Sequence, residues 1–249
     1  MNTAHVIGVV VGSGGVGASV LTAAIAVRAA QAGLGAVCLD GDRLGGGLDV
    51  MFGLEQERGV RWPDLAGARG RIDGPELLRR LPSVDGVGVL SFDRARNVPP
   101  AAEVLREVLL ALSGAVDVVV VDLPRPDHEI FTALAPSVDA MALLAGAGIC
   151  DLAGASAIVE HLIQACDDVW LCLRTHGRGS HFADTVAGAL DLPLLAVVRE
   201  EPSLATDLLR GLPPGSSAEG ALAAAADTVL ARCVCGERPR CLVSASPTM

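Results

Sequence analysis

Residues 6–20 read VIGVVVGSGGVGASV, and no other stretch restricts the fold as tightly. Val6, Ile7, Val9, Val10 and Val11 form an apolar run of strand length. Glycines follow at 12, 14, 15 and 17, and an alanine-rich helix is predicted from Ala18. A strand that turns through a glycine loop into a helix N-terminus makes an anion site. Backbone N–H groups close on a phosphate only where no Cβ intrudes, and the helix dipole favours the negative charge.

Two motifs overlap here. Read as G-x-x-x-x-G-K-[ST], Gly12 to Ser19 fits a phosphate loop with Ala18 in place of the lysine. Read as G-x-G-x-x-G, Gly12, Gly14 and Gly17 fit a dinucleotide fingerprint, with Asp40 closing the next strand as the ribose acid.

The rest of the chain describes a large aliphatic α/β protein. Its 249 residues are 51% hydrophobic but include only two Trp, four Phe and no Tyr. No apolar run reaches the roughly 18–20 residues of a membrane span, and the start lacks a signal peptide's basic region, so a cytoplasmic location is expected. A net charge of −10 argues against general affinity for nucleic acid or anionic lipid. All 19 basic residues are arginine.

Strands are predicted at 36–40, 86–91, 116–122, 140–144, 169–173 and 194–198. Helices are expected near 18–31, 99–113, 151–165, 181–190, 204–210 and 219–232, with a short apolar helix after the 40–47 loop. Alternation at this interval means a mostly parallel sheet with helices on both faces. One domain is expected over residues 1–232, with a loose tail over 233–249. Residues 58–80 carry six arginines against three acids and read as a solvated helix face, ahead of the alternative of a partner patch. Cys38 and Cys172 read as small core residues. Cys233, Cys235 and Cys241 lack the fourth ligand of a metal site. His5, His128, His161, His176 and His181 form no paired constellation, which weakens an oxidoreductase reading.

In an open parallel sheet, ligands bind at the C-terminal strand ends, where Asp40, Asp42 and Asp122 fall. A phosphate-loop NTPase uses such acids: one at a central strand end positions the Mg²⁺ shell, one past strand two orients the attacking water, and Ser19 ligates the metal. The segments GSGGVGAS, LDGDRLGGGLDVMFGLE, VDVVVVDLP and AVVREEPSL occur in that order. With them the chain resembles the MinD/ParA group of deviant Walker ATPases over most of residues 5–232. The segment LRTHGRGSHFADTVAGALDLPLLAVVREEPSLATDLLRG is similar to CpaE/TadZ-like actinobacterial proteins, including those called septum site-determining proteins.

The resemblance implies a three-layer P-loop fold binding ATP or ADP with Mg²⁺. Gly12, Ser13, Gly14, Gly15, Val16, Gly17, Ala18 and Ser19 would form the phosphate loop, with Mg²⁺ at Ser19 and Asp122. Asp42 would orient water, and Arg174 with the 198–202 segment, including Glu200 and Pro202, would meet the adenine. Ser13 stands where the group has its signature lysine and Ala18 where it has the loop lysine, so ATP or ADP is expected to bind weakly or not at all and hydrolysis to be weak or absent. A preorganised cation at a transferring phosphoryl is worth on the order of 10²-fold in rate. Arg43 or Arg125 reaching the phosphates would instead give an active ATPase. Other readings are an NAD(P)-binding oxidoreductase and a scaffold without ligand.

The group's role implies protein partners in the division, pilus or secretion machinery, with recruitment to the inner face of the membrane by a partner. The receiver-like domain that precedes many CpaE/TadZ-like ATPases is not expected ahead of this strand one. The tail CVCGERPRCLVSASPTM is not expected to anchor in a membrane, and a monomer or weak homodimer is expected.

Overall fold

The computed structural model describes residues 4–96, 98–175 and 182–235. The first half contains β1 (His5–Val11), α1 (Ala18–Gln31), β2 (Ala36–Asp40), α2 (Leu48–Met51), α3 (Trp62–Leu65) and α4 (Gly74–Arg80). It continues with β3 (Ser83–Val84), β4 (Val87–Leu90), α5 (Ala102–Ser113) and β5 (Val118–Asp122). The second half contains α6 (Glu129–Leu134), β6 (Ala140–Gly146), α7 (Ile149–Ala165) and β7 (Val169–Thr175). Last come α8 (Ala183–Leu190), β8 (Leu194–Arg199), α9 (Leu204–Leu209) and α10 (Ala221–Cys235).

The strands form one eight-stranded sheet in the order β3-β4-β2-β5-β1-β6-β7-β8. All neighbours are parallel except the short edge strand β3, which runs against β4. Alternation along each strand feeds a core on either face. Val6 and Val10 of β1, Val37 and Leu39 of β2, and Val119 and Val121 of β5 pack with α5, α6 and α7. Ile7 and Val9, Ala36 and Cys38, and Val118 and Val120 pack with α1 and α10. Period-two chains buried on both sides give the three-layer α/β architecture.

Small residues let α1 lie close to its neighbours. A Cβ on Gly215 would come 2.9 Å from the Cα of Ala24, so the 213–215 turn presses directly on this helix. Cys38 and Cys172 are core residues as expected, and burial pushes the Cys172 thiol up to about 12.

Residues 58–80 correct the sequence expectation. They do not form one solvated helix face; Pro63, Gly67 and Gly70 divide them into α3, a loop and α4. Arg61 is buried, its Nη2 donating to the carbonyls of Leu54 and Glu57 at 2.8 and 3.3 Å. Trp62 is fully buried and donates from Nε1 to the Asp40 carbonyl at 2.7 Å. The sequence also gave no sign of α6, whose N-terminus is capped by His128 Nδ1 accepting from the N–H of Ile130. His161 is exposed on α7. The last helix continues to Cys235, past the expected end at 232. His176, His181, Cys241 and the rest of the expected tail lie outside the described residues.

Trp62 fastens the end of β2 and stacks obliquely on Phe92, ring centroids 6.1 Å apart. Trp62→Phe removes the donor and strands a buried carbonyl, an expected loss of about 1–3 kcal/mol; Trp62→Ala adds a cavity, for about 3–5 kcal/mol. Urea unfolding followed by circular dichroism checks both, and equal losses would deny the hydrogen bond its role.

Candidate functional site

The sheet order brings the sequence-predicted residues to one end. Val9 of β1 is level with Asp122 of β5, and Asp122 with Asp40 of β2. The ladder continues past the strands, with Gly41 N–H donating to the Asp122 carbonyl and Leu123 N–H to that of Val9. The glycine loop leaving β1 therefore sits beside the acids of β5 and β2.

Within the loop the glycines serve different ends. Gly12 is buried against α7: a Cβ there would fall 2.2 Å from the backbone nitrogen of Ala155. Gly154 answers it, since its own Cβ would meet the Gly12 carbonyl at 2.7 Å. Packing alone requires glycine at both positions. Gly14 and Gly15 are exposed with nothing within 4 Å of a built Cβ. Gly15 and Gly17 adopt φ of +81° and +103°, and Gly17 caps α1 with no side-chain hydrogen bond. The first-turn amides of α1 thus keep no side-chain cap, in a cradle free of Cβ atoms.

Neither position 13 nor position 18 carries a cation, and their side chains take other duties. Ser13 Oγ donates to Asp151 Oδ1 of α7 at 2.6 Å. Ala18 is buried in the core that α1 and α10 share. Val16 and Gly17 wall a recess with Arg174, Val198 and Glu200. Arg174 reaches the loop itself, Nη1 donating to the Val16 carbonyl at 2.7 Å. Pro202 is exposed and does not line the recess; Glu201 does, and its carboxylate accepts from the N–H of Leu222 at the start of α10.

The acids differ sharply in environment. Asp122 is 3% exposed, and burial raises its carboxyl from 3.8 to about 7, with Asp42 adding to the rise and a hydrogen bond from Ser19 opposing it. Asp40 is also buried and is carried well above the ordinary carboxylate range by burial first and by Asp122 second. It accepts from the N–H groups of Asp42 and Leu48, which hold the loop after β2 in place. Asp42 is exposed in a turn where its Oδ1 accepts from the N–H of Leu44. Ser19 and Asp122 offer the hard oxygen donors that Mg²⁺ takes, and the glycine cradle offers amides to a phosphate; the residues present fit both groups.

Two features overturn the dinucleotide reading of Asp40. Its carboxylate is spent on backbone amides, and β5 lies between β1 and β2. In the dinucleotide fold the strand bearing the ribose acid adjoins the first strand. Arg43 is half-buried in a recess with Asp40, Asp42, Phe92 and Arg94, and Arg125 is exposed after β5.

Sequence reading missed the supports of the site. Asp151 stands 138 residues from Ser13, and Arg94 stands 45 from Asp49, so no local spacing announces either pair. Arg94 grips the buried Asp49 with both terminal nitrogens and the Gly46 carbonyl with one, pinning the loop after β2. Gly47 is required there, because its φ is +86° and a Cβ would fall 2.5 Å from Arg94 Nη2.

The raised carboxyl of Asp122 fixes a pH dependence. The folded state keeps this proton up to about 7 while the unfolded state releases it near 3.8, so stability falls as pH rises between those values. Asp122→Asn removes that loss. Relative to the parent, its stability should improve by on the order of 2 kcal/mol between pH 5 and pH 8 in chemical denaturation, and a change of opposite sign would refute the burial argument.

No family model matches the chain. The uncharacterized protein Rv3660c of Mycobacterium tuberculosis is 34% identical over 206 residues, which are 83% of this chain and 57% of that protein. The chain thus spans little more than half the length of this curated relative. An uncharacterized ATP-binding protein of Methanocaldococcus jannaschii is 25% identical over 210 residues, covering 81% of this chain and 76% of the relative. Among solved structures, a ParA family ATPase from Chlorobium tepidum superposes with TM-score 0.79 at 16% identity, covering 93% of this chain and 98% of that one. The septum site-determining protein MinD from Pyrococcus horikoshii, complexed with Mg-ADP, gives 0.75 at 23%, covering 91% and 94%. MinD of Aquifex aeolicus, solved in a MinC:MinD complex, gives 0.74 at 21%, covering 95% and 98%. The chain has the fold of the MinD/ParA P-loop ATPases.

Proposed function

We propose that this chain is a MinD/CpaE-like positioning or regulatory protein that binds ADP or ATP through its glycine loop and hydrolyses ATP slowly or not at all. One observation carries the reading. The loop keeps its open cradle and the Ser19–Asp122 pair, while the positions that bear lysine in the resembled family hold Ser13, bonded to Asp151, and Ala18, in the core.

Backbone amides from Gly14 to Ser19 would meet the phosphates, and Ser19 and Asp122 would hold Mg²⁺, whose charge would offset that of the phosphate oxygens. Binding would draw the proton from Asp122, since a cation beside a carboxyl favours its ionised form. Asp42, exposed at the mouth, would orient water. Arg174 would brace the loop from the recess beside Val198 and Glu200, where the adenine would lie. Without a cation at residue 13 or 18, the charge developing on a transferring phosphoryl group lacks its usual partner, and binding outlasts catalysis.

The role would be to place division, pilus or secretion machinery through protein partners, as a monomer or weak homodimer. No described helix is long and apolar enough to cross a membrane; recruitment to a membrane would come through a partner. The complex of a fold neighbour with MinC supports a protein partner.

Thermal denaturation with Mg-ADP, Mg-ATP or NAD tests the binding. The adenine nucleotides at about 100 times their Kd should add about 2.7 kcal/mol of stability, and NAD nothing. Stabilisation by NAD alone, or by none of the three, would reject nucleotide binding. Ala18→Lys, in a variant that melts cooperatively like the parent, should raise ATP turnover by about 10²-fold over a parent that is slow or silent; a parent already turning over briskly would show that another group replaces the lysine.

A further inference from the structure

The chain is acidic overall at net −10, yet residues 58–80 carry a net +3. The structure shows why that excess is not neutralised internally. Each carboxylate of the segment is already engaged. Asp64 binds Arg96 Nη1 at 2.7 Å and the N–H of Arg61 at 2.9 Å. Asp73 accepts from the N–H of Glu76 as the cap of α4, and Glu76 pairs with Arg79. The nearby Glu107 of α5 accepts from the N–H of Ile72. Arg58, Arg69, Arg71 and Arg80 are exposed, and their side chains have no ion pair or hydrogen bond among the described residues.

These four guanidinium groups stand on a fixed frame. Gly74, at the first turn of α4, is pressed on α5 so closely that a Cβ would come 2.0 Å from the Ala111 carbonyl. Leu77 buries the inner side of α4. At the other end, Val60 N–H donates to the Arg80 carbonyl and Gly59 lies against Pro82, which brings Arg58 alongside Arg80. Arg69 and Arg71 therefore precede α4, and Arg58 and Arg80 stand at its far end, the seven-residue helix itself spanning about 10 Å.

We propose that this face docks an acidic segment of a partner protein. Four unpaired guanidinium groups at the two ends of one rigid helix match an extended segment that carries carboxylates at intervals along its length. Arginine forks bind carboxylates bidentately, and here each has an unused fork. The interleaved Asp73 and Glu76, and the chain's net negative charge, disfavour an anionic bilayer or nucleic acid, which present unbroken negative surfaces. The site is separate from the glycine loop, so the proposal does not depend on nucleotide binding.

Fluorescence anisotropy with a fluorescein-labelled peptide of roughly twelve alternating glutamate and glycine residues tests this on the full chain. The peptide should bind at about 50 mM salt and weaken markedly by about 200 mM. The pairs R58Q/R80Q and R69Q/R71Q should each lower affinity by about tenfold, and the quadruple variant should abolish binding. R106Q/R210Q, an equal charge change elsewhere on the surface, should alter it by less than about twofold. Exposed side chains are replaced, so all variants should melt with the parent. Equal losses in all three pairs, or no binding by the parent, would overturn the proposal. So would stronger binding of phosphatidylglycerol vesicles or of a duplex DNA, lost in the same patch variants. Self-association of the parent at low salt that disappears in the quadruple variant would identify the occupant as a second copy and overturn it equally.

Discussion

Everything at the site depends on β5 lying between β1 and β2. Parallel pairing on both sides brings the end of β1, from which the glycine loop departs, level with Asp122 and Asp40. The pairing is secured by an uninterrupted valine run, Val118 to Val121, buried on both faces. Insertion of one strand between two sequence neighbours also changes what the loop can serve. The acid that ends β2 no longer adjoins the loop, and the acid that ends β5 does.

Two carboxyls buried side by side create the main electrostatic tension of the fold. Water is excluded from both, Asp122 adds to the proton affinity of Asp40, and only Asp40 is compensated by backbone amides. Asp122 has the Ser19 hydroxyl instead, a weaker partner that a hard cation could share. The same acids that would be costly in an empty core are useful next to a loop built from unprotected amides.

The strand–loop–helix unit was legible because its signals are local: an apolar run, then glycines, then alanine-rich helix. Asp122 was legible for the same reason, as a carboxylate closing a valine run. The misreadings share another cause. Arg61 and Trp62 were lost in a stretch dominated by charge, because whether an arginine faces water or a pair of carbonyls depends on residues outside its window. Helix α6 follows a proline-broken segment, and its cap is a histidine, an uncommon capping residue. Arg174 was expected at the adenine on resemblance, and only coordinates place its guanidinium on the Val16 carbonyl. Pro202 was expected at the adenine, but it is exposed outside the recess that its neighbour Glu201 lines.

The contact between Gly12 and the Gly154–Ala155 backbone leaves no slack, and the Ser13–Asp151 bond adds a second tie. Main-chain atoms at such spacing cannot slide independently, so the loop and the opening turns of α7 behave as one mechanical body. Ile149, 88% exposed at the tip of that helix, is consequently a remote pointer attached to the floor of the cradle. Any tilt imposed below is delivered to the surface there without an intervening hinge.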